Sequence, residues 1–117
     1  MLRIFTAMVV LVCATLPVAA ADSVQSKRQS IANGKAVFMR SGCYGCHGTA
    51  GQGGTGPKLG PDPMPLDALS AFVRGTVSAM PPYSEKILSD SELADIHAYL
   101  ASVPKPPDVK SISILND

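Results

Sequence analysis

Cys43-Tyr44-Gly45-Cys46-His47 places two thiols and an imidazole within five consecutive residues. In such a C-x-x-C-H run each thiol can add across one vinyl group of a porphyrin, and the histidine after the second cysteine then meets the iron, which is the attachment pattern of a c-type haem. With two residues between the cysteines, a single backbone turn brings both sulfurs to one edge of the macrocycle with His47 beneath it. Gly42, Gly45 and Gly48 flank these residues and suit a close approach of backbone to a flat ligand. Rival chemistries fit less well. A structural zinc ion wants four ligands, whereas apart from Cys13 the chain offers just Cys43, Cys46, His47 and His97. A thioredoxin-type redox pair needs a βαβ setting, and here a helical pattern runs into a glycine-rich loop. A disulfide from Cys43 to Cys46 would stabilise little, because the entropy gained grows with the length of the loop closed.

An imidazole on one side of an iron leaves the opposite axial position open, and a thioether there favours the ferrous state and raises the reduction potential. Met80 is the candidate metal ligand to pair with His47. It lies 33 residues further on, in Ser78-Ala79-Met80-Pro81-Pro82-Tyr83, where two prolines stiffen the chain just past it. Met64 is the alternative by reach, 17 residues after His47 in Pro63-Met64-Pro65, but its use would leave the segment from Leu66 to Val73 without a role between the two ligands. Met39 lies four residues before Cys43, on the incoming helix. His97 reads as a half-exposed structural histidine.

These side chains need elements to carry them. The pattern predicts a first helix over 31–41, with Ile31, Val37 and Phe38 as its apolar residues. Residues 48–62 hold six glycines and two prolines and read as a loop. A phosphate-cradling role for it fails, because no strand precedes it and no lysine leads from it into a helix. A short helix over 66–74 presents Leu66, Leu69, Phe72 and Val73 on one face as core residues, with Gly75 expected as a left-handed cap. Ser89-Asp90-Ser91-Glu92 is a capping box. The last helix follows it, with Leu93, Ile96, Leu100 and Val103 as its stripe, Tyr99 packing on the first helix, and Pro104 as its stop. The tail 104–117 combines a proline-rich spacer with an alternating end at 111–115, able to fray, to lie on its own domain or to add as a strand to a partner.

In this order of parts the chain resembles the class I c-type cytochromes, over residues 30–103. That family runs from an N-terminal helix into C-x-x-C-H, then a Gly-Pro-x-Leu stretch, a short helix, a Met-Pro ligand loop and a C-terminal helix that closes on the first. Gly56-Pro57-Lys58-Leu59 matches the Gly-Pro-x-Leu stretch. The resemblance implies an all-α fold of three to four helices wrapped around one covalently bound haem c, held by Cys43 and Cys46, with His47 and Met80 on the iron. It also implies that the Pro57 carbonyl accepts a hydrogen bond from His47 and orients its ring, and that Gly34 and Phe38 mark the crossing with the last helix.

The remaining composition bounds the setting. Residues 1–21 combine Arg3, an apolar run from Ile4 to Ala14 and the small residues Ala19-Ala20-Ala21, the three parts of a cleaved signal peptide. Cys13 would be lost with it. The apolar run is too short for a membrane span, so export to the periplasm without a stable anchor is expected, with 22–29 as an N-terminal extension. Without Arg3, nine Lys and Arg balance nine Asp and Glu, which argues against nucleic acid as a partner. The chain has no Trp, three Phe and three Tyr; so small a domain with so little aromatic mass needs a staple or a cofactor. An iron with six ligands in both oxidation states moves few atoms on reduction, so the expected role is a non-catalytic electron carrier. It would work as a shuttle or as the haem subunit of an exported dehydrogenase, between redox proteins such as a donor dehydrogenase and an acceptor oxidase or cytochrome. The alternative is a haem enzyme or gas-binding protein with an open or displaceable distal position.

Overall fold

The computed structural model describes residues 18–115 and is all-helical. The signal peptide expected over 1–21, with Cys13, lies outside the described residues except for its last four positions. The helices are α1 (Val18–Arg40), α2 (Tyr44–His47), α3 (Leu66–Gly75) and α4 (Asp90–Ser102). Among the described residues no helix is long and apolar enough to cross a membrane.

α1 begins well before the apolar pattern predicted, which had the first helix start at 31. Residues 21–29 are exposed, so they carry no buried stripe for periodicity to detect. They contain neither Pro nor Gly, and Lys27, Arg28 and Gln29 are good helix formers, so nothing interrupts the turns. Only from Ser30 onward does α1 have a buried face. There it packs along α4, with Val37 and Phe38 wholly buried.

The crossing of α1 and α4 is closest at Gly34. A Cβ placed there would sit 1.9 Å from the Asp95 carbonyl oxygen and 2.9 Å from the Ile96 nitrogen. Beside it the Asp95 carboxylate accepts from Ser30 Oγ and, at 2.6 Å, from Asn33 Nδ2. The partly buried acid is thus solvated by α1 itself. Tyr99 packs its ring on Phe38, with centroids 5.7 Å apart, as expected, and its hydroxyl donates to the Thr49 carbonyl at 2.7 Å. Leu93, Ile96 and Leu100 complete the buried stripe of α4, and Leu69 and Val73 of α3 close the core with Leu88 from the preceding turn. Each large side chain fully buried in this way contributes about 1.5–3 kcal/mol relative to exposure.

The capping box of α4 forms as the sequence predicts. Ser89 Oγ accepts from the Glu92 N–H at 3.3 Å, while the Glu92 carboxylate accepts from the Ser89 N–H at 2.9 Å and from its hydroxyl at 3.0 Å. Those bonds, the backbone one first, hold the Glu92 carboxyl below the usual glutamate range, with the Arg40 guanidinium at the end of α1 acting in the same direction.

Two expectations are corrected. Gly75 is the last residue of α3, and its φ is not positive; the chain leaves through Thr76 in an extended conformation (φ −62°, ψ 138°). A left-handed cap is unnecessary because the Val73 carbonyl accepts the Tyr83 N–H from the following loop at 3.0 Å. On the same helix, Leu66 and Phe72 are exposed rather than core. The alternating end of the tail, for which fraying, self-packing and strand addition were all open, forms two single 3-10 turns, Val109–Ser111 and Ser113–Leu115. Asp108 starts the first by accepting from the Lys110 N–H at 2.9 Å, a local side-chain bond that competes with extension.

Gly34→Ala separates this crossing from an ordinary helical glycine. Alanine in an unhindered helix gains about 1 kcal/mol, whereas here a methyl meets backbone, and a loss of about 2 kcal/mol or more is expected in denaturant unfolding of the haem-bearing protein.

Candidate functional site

α1 ends at Arg40, and after a turn the chain enters the four residues of α2, Tyr44–His47, with Cys43 at its N-cap. The Cys43 carbonyl accepts the His47 N–H at 3.0 Å and the Cys46 N–H at 3.3 Å. That single turn sets Cys46 and His47 three and four residues from Cys43, the spacings that share a helix face. Both cysteines are free thiols. Cys43 is half-buried, and burial pushes its thiol up, with a smaller opposing effect from a backbone hydrogen bond; Cys46 is exposed and His47 is buried.

The glycine-rich loop folds back under this turn and satisfies its free carbonyls. The Gly56 N–H donates to Cys46 O at 2.9 Å and the Gly53 N–H to His47 O at 2.8 Å. The Pro57 carbonyl then lies 2.8 Å from His47 Nδ1. A carbonyl only accepts, so Nδ1 carries the proton and Nε2 keeps its lone pair for a metal. Gly56 lies flat against the ring: a Cβ on it would stand 2.8 Å from Cε1 and 2.9 Å from Nδ1. The same loop is pinned to α4 through Thr49 and Tyr99. Proline is needed at 57 for none of these bonds; what acts is its carbonyl, delivered by the loop.

The three methionines are placed differently. Met80 is half-buried and packs against the core alongside Cys43 and Tyr83. Met39 also packs there, from α1. Met64 is 43% exposed, and its carbonyl faces His97 Nε2 at 3.1 Å, which gives His97 the structural role expected of it. The sequence reading missed Tyr83. Its hydroxyl donates to Ser41 O at 2.8 Å and its carbonyl accepts from Arg74 Nη1 at 2.8 Å. Burial raises the Tyr83 phenol, and the neighbouring cysteine sulfurs add to this only where ionised. No spacing rule marks such a residue; its neighbour Pro82 and its distance from Cys43 in sequence give no signal.

Among the described residues no three or more His, Cys, Asp and Glu side chains gather as a bare metal ion requires. Two free thiols beside a pre-oriented imidazole, with a glycine clearing the ring, instead match a planar group that brings its own equatorial donors. Residues 29–100 match the family model described as cytochrome c oxidase, cbb3-type, subunit III. The chain belongs to that family of c-type cytochrome domains. The match starts in α1 and ends in α4, and so spans both crossing helices and everything between them. Comparisons with curated proteins and with solved structures find no match. As a c-type cytochrome domain the chain binds haem c and serves haem-based electron transfer.

The Gly56 contact gives a direct check. Gly56→Ala forces the His47 ring to move and is expected to lower the yield of haem-bearing chain severalfold, read as haem absorbance per unit of purified protein. Gly75→Ala, where a Cβ meets nothing within 4 Å at the end of α3, is expected to leave that yield close to wild type.

Proposed function

We propose that this cytochrome domain is an exported one-electron carrier. Its haem is attached through thioethers at Cys43 and Cys46, and the two axial ligands are His47 Nε2 and the Met80 sulfur. The observation that carries the reading is the 2.8 Å contact from His47 Nδ1 to the Pro57 carbonyl, one helical turn from two free thiols. When bound, the haem supplies an iron that alternates between ferric and ferrous states.

The chain's residues tune and protect that iron. Hydrogen bonding at Nδ1 fixes the tautomer and raises the basicity of Nε2. A thioether from Met80 favours the ferrous state and so raises the potential. Met80 is preferred over Met64 because it is half-buried and packs against the core, as Cys43 does, whereas Met64 is exposed. Around Met80 there is little to move a proton: Ala79, Pro81 and Pro82 have no acid–base group, the Ser78 hydroxyl is bonded to Thr76 at 2.9 Å and the Tyr83 hydroxyl to Ser41 O at 2.8 Å. Such a neighbourhood suits electron transfer rather than chemistry on a bound substrate.

The proposed unit is 30–103, which the family match at 29–100 supports, followed by a separate tail at 104–117. The composition of 1–21 supports export to the periplasm. The family's description names a subunit of a cytochrome c oxidase, which supports an oxidase as the acceptor and a dehydrogenase or another cytochrome as the donor.

Spectra of the oxidised and reduced protein test the ligand pair. Wild type and Met64→Ala are expected to show the weak sulfur-to-iron band toward the red end of the oxidised spectrum, and Met80→Ala to lack it. Reduced wild type is expected to bind carbon monoxide slowly and Met80→Ala rapidly. An unaltered band in Met80→Ala, or rapid binding by wild type, would overturn the reading in favour of an open or differently ligated iron.

A further inference from the structure

We propose that Arg74 and Tyr83 form a clamp that holds the Met80 sulfur on the iron and sets how readily a competing ligand displaces it. The proposal rests on Met80 being the ligand, and it assigns positioning roles to two residues outside the ligand set.

Three hydrogen bonds converge on Tyr83, three residues after Met80, and a fourth anchors its arginine partner. The Tyr83 N–H donates to Val73 O at 3.0 Å, Arg74 Nη1 donates to Tyr83 O at 2.8 Å, and Tyr83 Oη donates to Ser41 O at 2.8 Å. The fourth, from Arg74 Nη2 to Asp90 Oδ1 at 2.7 Å, ties the same guanidinium to the first residue of α4. Tyr83 is thereby fixed at both backbone groups to α3 and at its side chain to the turn after α1. Ser41 stands two residues before Cys43, so the phenol links the loop bearing Met80 to the segment that presents the thiols and His47. Between Tyr83 and Met80 stand only Pro81 and Pro82, whose rings fix φ and pass the constraint to the methionine. On its other side the loop is held more weakly: the Met80 N–H reaches Ser78 Oγ at 3.4 Å.

Stability alone does not account for Arg74. Its Nε is buried and finds no hydrogen-bond partner, and its carboxylate partner Asp90 is largely exposed. A buried unpartnered N–H is unfavourable and an exposed ion pair contributes little. What the planar fork adds is geometry, because a lysine's single nitrogen cannot reproduce bonds donated from two nitrogens held apart in one plane.

A bound methionine and an external ligand compete for one position, so the apparent affinity of the external ligand follows the fraction of protein whose loop is released. Imidazole titration of the oxidised, haem-bearing protein reads this, followed by loss of the sulfur-to-iron band. Tyr83→Phe removes a single hydroxyl and is expected to tighten imidazole binding by about fivefold to tenfold, and Arg74→Lys to tighten it less. Ser30→Ala, which loosens the remote α1–α4 crossing at Asp95, is expected to lower thermal stability while leaving imidazole affinity within about twofold of wild type. Unchanged affinity in Tyr83→Phe, or an equal gain in Ser30→Ala, would overturn the clamp. Met80→Ala is titrated in parallel to separate the two levels of the reading. If wild type shows no sulfur-to-iron band and the two bind imidazole alike, the ligand assignment itself fails and the clamp with it.

Discussion

The α1–α4 crossing is a contact between backbones. At Gly34 there is no room for even a methyl group against the Asp95 carbonyl, and that proximity lets Phe38 and Tyr99 meet, buries Val37 and Leu100 and brings Arg40 to Glu92. From these positions each helix anchors one half of the site. The end of α1 leads directly into the turn of Cys43, Cys46 and His47, while Tyr99 and Leu100 on α4 hold the loop that supplies Pro57. The crossing therefore fixes the distance between the imidazole and the carbonyl that orients it.

The site follows the same division of labour. α2 is a single turn, too short to be stable by itself, and its free carbonyls are satisfied by amides of residues 53 and 56 in the loop beneath it. The imidazole is positioned by three things that act together: a turn that aims it, a carbonyl that selects its tautomer and a glycine that lets the backbone lie against it. A second, shorter loop carries Met80 between α3 and α4, and Tyr83 and Arg74 tie it to α3 and to the turn after α1.

How much of this could be read from the sequence depended on the range of the interactions. The thiol and imidazole spacing, the capping box at Ser89 and the apolar stripe of α4 are local patterns, and each appears in the structure where the pattern placed it. Pro57, with its carbonyl facing His47 Nδ1, was legible only through resemblance, since no periodicity distinguishes an acting carbonyl. The early start of α1 was hidden because its first turns bury nothing, and apolar periodicity reports burial rather than helicity. Gly75 was misread because helix-end statistics ignore a carbonyl satisfied by a distant residue, here Tyr83. For Leu66 and Phe72, helical spacing was a correct guide to the shared face and a poor guide to burial. Tyr83, Arg74 and Thr49 were missed since their bonds join positions far apart in the chain, which one sequence without side-chain geometry does not encode.

In the proposed holoprotein one porphyrin is joined covalently to Cys43 and Cys46 with His47 beside it. Intact-mass measurement of the chain purified from a host that matures c-type haem, after acid–acetone extraction, followed by mapping of the peptide that contains both cysteines, tests this most directly. The expected result is a polypeptide heavier by one haem, with the whole addition on that peptide and no alkylatable thiol left on it. A chain recovered at the mass of bare polypeptide, with both thiols open to alkylation or joined to each other, would contradict it.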